Sequence, residues 1–413
     1  MNSENIGKLI FDKIDALAEL SENRENLTRV SLSPEHQLAN TLVGQWMADA
    51  GMQVRVDAVG NVIGRTDGST EGPALMLGSH LDTVRDGGRY DGMLGVVVPL
   101  VCMEILHKRG EKLAYPVEVV GFSDEEGVRF PSTLHGSKAI AGTFDTATLD
   151  DRDANGISIA EALTQFGLDP KQLHSARRMP EEFFGFIEIH IEQGPVLEKE
   201  QLPVGVVTAI AGASRYRVTV SGKAGHAGTV PMNLRKDALT AASECIVEIE
   251  AICNNLADVV GTVGEIRAAP GAGNVIPGEV EISLDLRSSE NATRKHAEQL
   301  ILDMFDAVAA KRGLTITTHC HHEATSVDCD KQLCEQLAAA IEATGYRSLG
   351  LPSGAGHDAM AIADLTPMAM LFVRCKDGLS HHPDESMTAD DAAVAALVLL
   401  KFLTHINNTA NSG

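Results

Sequence analysis

Five short stretches of the chain combine histidine and carboxylate side chains at spacings that can hold a divalent cation. The first is Gly78-Ser79-His80-Leu81-Asp82-Thr83-Val84. His80 can bind a metal through one ring nitrogen while Asp82, two residues on, orients the ring. In the second, Gly87-Gly88-Arg89-Tyr90-Asp91-Gly92, a glycine-rich turn holds a carboxylate that can bridge two cations. An ordinary Asp-Gly turn has the same spelling. The third, Ser123-Asp124-Glu125-Glu126-Gly127, sets adjacent carboxylates directly after the apolar run VEVVGF, where they repel one another unless something cationic lies between them. One of that pair can ligate a metal while the other acts as a general base.

The fourth stretch, residues 186–194, reads FIEIHIEQG. Strand alternation puts Ile187, Ile189 and Ile191 on one face and Glu188, His190 and Glu192 on the other. The fifth, Gly378-Leu379-Ser380-His381-His382-Pro383, follows the apolar run MAMLFV, and either histidine can be a ligand. Imidazole and carboxylate without thiolate suit Zn2+, Mn2+, Ni2+ or Co2+. None of the seven cysteines lies in these stretches, which argues against a structural zinc knuckle.

Such side chains need a scaffold that brings strand ends together. Apolar spacing predicts helices over residues 4–20 and 35–50, short strands over 52–56, 62–65 and 74–78, and a buried helix over 95–108. The continuous apolar run at 117–122 is that of a parallel strand covered on both faces. Strands follow at 186–191 and 204–210. This is an α/β pattern with a mostly parallel sheet, in which ligands collect beyond the carboxyl ends of the strands.

The pattern changes near Gly212. A strand over 216–221, a helix over 233–255, strands over 259–267 and 279–287, a helix over 291–312 and a strand over 315–320 give the order β-α-β-β-α-β of a ferredoxin-like unit. Helices over 331–344 and 389–406 and a strand over 368–373 then resume the α/β pattern. The expectation is a catalytic domain in two pieces, residues 1–211 and 328–413, interrupted by an inserted α+β domain over 212–327.

The length of 413 residues is that of two domains, and 44% hydrophobic with 22% charged residues is the composition of a globular protein. A formal charge of −23 disfavours nucleic-acid and anionic-membrane partners, both of which need a basic surface. An anionic substrate would need arginine or lysine within the site. An odd cysteine count without a CxxC pair fits a reduced, cytoplasmic protein. The amino-terminal segment reads as an amphipathic helix rather than a signal peptide, and no apolar run is long enough for a membrane span.

At these residues the sequence resembles the hydantoinase/carbamoylase family of dinuclear metal amidases, within the wider aminoacylase-like metallopeptidase clan. GSHLDTV, GGRYDG, DEEGVRFP, IHIEQGPVLE, AGHAGTVPM, NVIPG, SGAGHDAM and GLSHHPDE occur in the family's order over nearly the whole chain. The resemblance implies a metallopeptidase-like catalytic domain whose insert serves as lid and dimer interface, with two divalent metal ions per subunit. His80, Asp91, Glu126, His190 and His381 would be the metal ligands, with Asp91 bridging. Glu125 would be the general base, and Asp82 would orient His80. His226 would polarise the substrate carbonyl, often reaching across from the partner subunit. Asn274 and Arg287 would hold a substrate carboxylate, and Gln193, Gly356 and His357 would make further substrate contacts.

The implied substrate is small and anionic. An N-carbamoyl-L-amino acid comes first, on the wording of AGTVPM, FVRCKDG and SGAGHDAM. Allantoate or another ureido acid is the alternative; its enzymes often carry a Gly/Asp/Pro-containing segment near the start, where this chain reads ALAELSENRENLTRVSLS. A dipeptidase or deacylase of the same clan is a third reading. A catalytically silent binding protein on this scaffold would be expected to lack the base or a ligand, and here both are present.

Overall fold

The structure, a computed structural model, describes residues 3–410. It forms two compact units. The first runs to Thr208 and resumes over Cys329–Leu351 and from Gly356; the second is Ala209–Asp328 together with Pro352–Ala355. Among the described residues, no helix is long and apolar enough to cross a membrane.

The first unit opens with α1 (Ser3–Ala18) and α2 (Pro34–Asp49), then β1 (Gln53–Val56), β2 (Val62–Thr66), β3 (Ala74–His80), α3 (Met93–Arg109) and β4 (Val117–Phe122). The short helices α4 (His135–Ala141) and α5 (Ile159–Gln165) precede β5 (Phe183–Ile191), α6 (Val196–Lys199) and β6 (Val204–Ile210). The second unit holds β7 (Gly212–Ser221), β8 (Gly225–His226), α7 (Ala238–Asn254), β9 (Val260–Thr262), β10 (Ile266–Ala269), β11 (Val275–Ile276), β12 (Glu279–Ser288), α8 (Asn291–Arg312), β13 (Thr315–Ala324) and β14 (Val327–Asp328). After it come α9 (Lys331–Glu342), β15 (Gly350–Ser353), α10 (Asp358–Ile362), β16 (Met368–Val373) and α11 (Ala389–Ala410).

The first unit's sheet runs β1-β2-β4-β3-β5-β16-β6. Only its centre is parallel, where β4, β3, β5 and β16 lie side by side. The joins β1–β2, β2–β4 and β16–β6 are antiparallel. The sheet is therefore mixed, not mostly parallel as expected. The link from β5 to β6 contains only the four-residue α6, too little for the crossover that would bring β6 back parallel to β5. The central strands β3, β4 and β16 are buried at every position, so both of their faces are covered.

Helix α3 is apolar around its whole circumference and buried from Met93 to Leu106 except at Glu104, because it packs on β3 and β5 with α1 and α11 beyond it. Each Val or Leu buried this way contributes roughly 1.5–3 kcal/mol. Gly110, in the left-handed region, ends the helix, and His107, Lys108 and Arg109 in its last turn oppose the dipole. The other end of α3 begins directly after Asp91, so the positive pole of the helix faces that carboxylate.

In the second unit, β10, β12, β7 and β13 form an antiparallel sheet in that order, with β9 also beside β12. Helices α7 and α8 cover one face and bury Val218, Val220, Ile282, Leu284 and Leu286 against Ala241, Ile249, Ile301 and Phe305. Residues of opposite parity, among them Arg215, Asp285 and Arg287, lie on the other face. Helix α7 starts at Ala238 rather than near 233, because the Asp237 side chain accepts the N–H of Leu239 and Thr240 and fixes the first turn there. The single strand expected over 259–267 is instead β9 and β10, separated where Ser283 Oγ takes the N–H of Gly264 and Glu265.

Candidate metal centre

The parallel centre of the first sheet brings the candidate ligands to one edge. His80 is the last residue of β3, Glu125 and Glu126 follow the end of β4, and His190 is the penultimate residue of β5. Asp91 stands in the turn before α3, and His381 lies in the loop after β16.

These side chains converge on Asp91. Its Oδ1 lies 3.5 Å from His80 Nε2 and 3.1 Å from His190 Nε2. Its Oδ2 lies 3.3 Å from His381 Nε2, which is also 3.7 Å from Glu126 Oε2. Ligand atoms of three groups fall close enough to share an ion: His80, Asp91 and His190; Asp91, Glu126 and His381; and His80, Glu125 and Glu126. His80, Asp91 and His190 are buried, whereas the His381 side chain is 51% exposed, so the group opens to solvent on that side.

The donor chemistry fits divalent cations. His80 Nδ1 is 2.9 Å from the backbone carbonyl of Asp82, and His190 Nδ1 is 2.9 Å from that of Ile191. A neutral ring with its proton at Nδ1 offers its Nε2 lone pair to a cation, whereas a protonated ring donates from Nε2 to Asp91. Glu126 Oε1 is buried without a hydrogen-bond partner, as expected of an oxygen reserved for an ion. Gln193 Nε2 and Ser380 Oγ donate to Asp91 Oδ2 at 2.9 and 2.8 Å, neutral contacts that orient the carboxylate. A side chain at Gly92, whose φ is 74°, would collide with the His80 imidazole, so only glycine leaves that ring its place. Asp124, Gln193 and His381 all adopt left-handed backbone, uncommon for residues with a side chain and frequent at functional sites.

The electrostatics describe a site short of positive charge. Burial opposes ionisation of Asp91, but hydrogen bonds from His190, His381 and His80 hold its carboxyl well below the usual range. Burial would lower His80, yet Asp91 and the charges of Glu125 and Asp82 raise it well above the ordinary imidazole value. The hydrogen bond to Asp91 lifts His381 to about 9. Burial and the Asp91 charge push Glu126 up to about 7, and burial, with Glu126, Asp358 and Asp82 nearby, pushes Glu125 well above its ordinary value. The histidines attract protons because the carboxylates outnumber them, and a metal ion satisfies the same demand.

Asp82 sits differently from the simple expectation. Its carboxylate is 3.9 Å from His80 Nδ1, which instead meets the Asp82 backbone carbonyl. Glu188 and Glu192 share the His190 face, yet both are otherwise engaged. Glu188 accepts from Ser79 Oγ and Ala359 N, and Glu192 accepts from Val196 N and Leu197 N at the start of α6. His382 is exposed and faces Asp384. His357 is buried, edge-on to His190 at 4.5 Å between centroids, and burial together with His190 holds it well below the ordinary imidazole value. Gly356 precedes it, and a Cβ there would lie 4.0 Å from Glu125 Oε1.

Three candidates belong to the second unit. His226 and Asn274 are exposed neighbours on the β8–β11 ribbon, where Ala227 N donates to Asn274 O at 3.0 Å. Arg287 is held by Asp285 through Nε and Nη2, both at 2.8 Å, and by the Gly354 carbonyl through Nη1 at 2.6 Å. Ser380 escaped the sequence reading: its hydroxyl contact with Asp91 depends on two loops meeting across 289 residues, and the SHH spelling was the only signal.

A model of peptidase family M20/M25/M40 matches residues 76–405, from within β3 into α11. The chain belongs to that family. This M20 chain is 41% identical to the allantoate deiminase of Arabidopsis thaliana, over 95% of its own length and 81% of that protein's. It is equally 41% identical to the N-carbamoyl-L-amino acid amidohydrolase of Geobacillus stearothermophilus, over 95% of this chain and 97% of that one. Among solved structures, a hydantoinase/carbamoylase family amidase from Burkholderia multivorans matches with a TM-score of 0.90 at 32% identity, covering 96% of this chain and 97% of that one. The M20 assignment agrees with a divalent-metal site at the carboxyl edge of the sheet.

Proposed function

We propose that the protein is a metal-dependent amidohydrolase that cleaves the carbamoyl C–N bond of N-carbamoyl-L-amino acids, giving the amino acid, ammonia and CO2. The observation that carries this reading is the arrangement around Asp91. Three imidazoles and Glu126 face its two oxygens, and Glu125 stands beside them. Relatives named N-carbamoyl-L-amino acid amidohydrolase, at 39–41% identity over nearly the whole chain, support the substrate class.

In this reading His80, Asp91 and His190, and Asp91, Glu126 and His381, would hold two divalent ions, Zn2+, Mn2+, Ni2+ or Co2+. When bound, such ions acidify water and polarise a carbonyl. Glu125 takes the proton of the attacking water; burial among like charges raises its affinity for that proton. It then passes that proton to the departing nitrogen. His226 donates to the substrate carbonyl oxygen as negative charge builds there. Arg287 and Asn274 are assigned to the substrate carboxylate, and Gln193, Gly356 and His357 to further substrate contacts. The second unit, with the strand and helix order of a ferredoxin-like domain, serves as lid and homodimer interface, and the setting is the cytoplasm.

Allantoate is the second reading, favoured by the equal 41% identity to the Arabidopsis allantoate deiminase. The deciding experiment reconstitutes the protein with Mn2+, Zn2+, Ni2+ or Co2+ and measures ammonia release from a panel of N-carbamoyl-L-amino acids, allantoate and ureidoglycolate. A kcat/KM highest for a carbamoyl amino acid supports the proposal. A higher value for allantoate transfers the assignment to the second reading, and cleavage of dipeptides alone overturns both.

A further inference from the structure

Glu385 joins the two loops that carry Asp91 and His381. It is 3% exposed. Its Oε1 accepts the backbone N–H of Tyr90 at 2.9 Å and of Asp91 at 3.2 Å. Its Oε2 lies 3.0 Å from Ser380 Oγ, which also donates to Asp91 Oδ2 at 2.8 Å. The N–H of Glu385 meets the His382 carbonyl at 3.0 Å and closes the turn that follows His381. A side chain at Gly88 would run into the Glu385 carboxyl, so the first loop is shaped to admit it. One buried carboxylate thus contacts the main chain at Asp91 and the side chain next to the exposed His381, across 294 residues of sequence.

We propose that Glu385 is a positioning residue: it fixes the separation of Asp91 and His381, and through it the affinity for the cation held by Asp91, Glu126 and His381. The inference rests on the reading of those three as ligands. The Glu385 carboxyl meets backbone N–H groups and a hydroxyl rather than a ligand atom, so the role assigned to it is geometric. The strongest consequence concerns Glu385→Gln. A glutamine carbonyl can accept from Tyr90 and Asp91, and its NH2 can donate to Ser380 Oγ, leaving the serine proton for Asp91. Charge is lost while every contact survives. Glu385→Ala loses all of them.

The test is stepwise titration of metal-free protein with Zn2+ or Mn2+ by calorimetry and chelator competition. His190→Ala and His381→Ala identify which step belongs to which ligand group. Loss of an outer contact of this kind typically weakens metal affinity about 10–100-fold. Glu385→Ala should lose that much at the step abolished by His381→Ala and less than about threefold at the other. Glu385→Gln should stay within about threefold of wild type at both steps. Ser380→Ala, a small change that leaves the fold intact, should weaken the same step as Glu385→Ala. The proposal is overturned if Glu385→Gln is as impaired as Glu385→Ala, or if Glu385→Ala and Ser380→Ala leave the His381 step unchanged or weaken both steps equally. A wild-type protein that takes up a single cation overturns the dinuclear reading itself, and this inference with it.

Discussion

Asp82 receives the backbone N–H of Glu125 at 3.1 Å through one carboxylate oxygen and that of Glu126 at 3.2 Å through the other. Its side chain therefore sets the course of the main chain that carries both acids, while its own carbonyl orients His80. Replacing Asp82 by Ala removes both acceptors. Misplacement of a catalytic group by about 1 Å costs on the order of 10²-fold. The expected result at saturating metal is a fall in kcat of about that size with KM little changed. If kcat recovers fully as metal is added, Asp82 acts only on metal binding and this account of it is wrong.

Glu125 is the acid left over once the two groups around Asp91 are assembled. Glu125→Gln should lower turnover by roughly 10²–10⁴-fold, the usual contribution of a positioned base. Metal content by mass spectrometry should stay at the wild-type level. A glutamine variant that turns over at a tenth of the wild-type rate or better would remove Glu125 from the role of base.

Arg287 presents a guanidinium already fixed by Asp285 and Gly354, so under the proposed assignment its remaining N–H groups would meet a substrate carboxylate without reorganisation. A hydrogen bond to a charged group is worth about 1.5–3 kcal/mol, or roughly 10–100-fold. Arg287→Ala should raise KM by about that factor with kcat nearly unchanged. An amide analogue of the substrate, lacking the carboxylate charge, should lose far less on the same substitution. An equal penalty for both substrates would refute the contact.

His36 predicts an acid sensitivity away from the site. It is fully buried, its Nδ1 accepts from Leu32 N at 3.0 Å, and burial with the nearby Arg29 charge lowers its pKa from 6.5 to about 3. The folded chain keeps this ring neutral, and the unfolded chain protonates it below about pH 6.5. The unfolded state then binds the extra proton, so stability is complete above that value and declines as pH falls from 6.5 towards 3. One proton corresponds to about 1.4 kcal/mol per pH unit. Between pH 7.5 and 5, wild type should lose about 2 kcal/mol more unfolding free energy in urea than His36→Asn. Parallel losses in the two proteins would exclude the histidine as the cause.

What was legible in the residues follows from the physics each signal records. The ends of β3, β4 and β16 are marked by largely apolar runs that stop at Ser79, Ser123 and Arg374, because burial on both faces leaves little room for polar residues before the sheet edge. Strand direction leaves no such trace. A run such as VEVVGF is equally apolar beside a parallel or an antiparallel neighbour, so the mixed sheet had to be seen. The start of α7 was written in Asp237 but outweighed by apolar spacing upstream. Contacts made by loops distant in sequence were hidden altogether. Gln193 on Asp91, 102 residues apart, depends on where β5 and α3 end relative to each other. The stretch holding α4 and α5 gave no periodic signal, because it packs as short pieces around Phe130, Ile159 and Phe166 rather than along one extended face.

The second unit leaves and rejoins the main fold on adjacent strands: Ala209 pairs with Asp328 and Ile210 with Val327. Its two ends are thus spliced side by side, as in a bead threaded on a closed loop. Such a segment can be lengthened, exchanged or cut down to a hairpin turn without rerouting any strand of the sheet that carries the histidines. Evolution or an engineer can alter the insert while the sheet edge that gathers His80 and His190 keeps its connectivity.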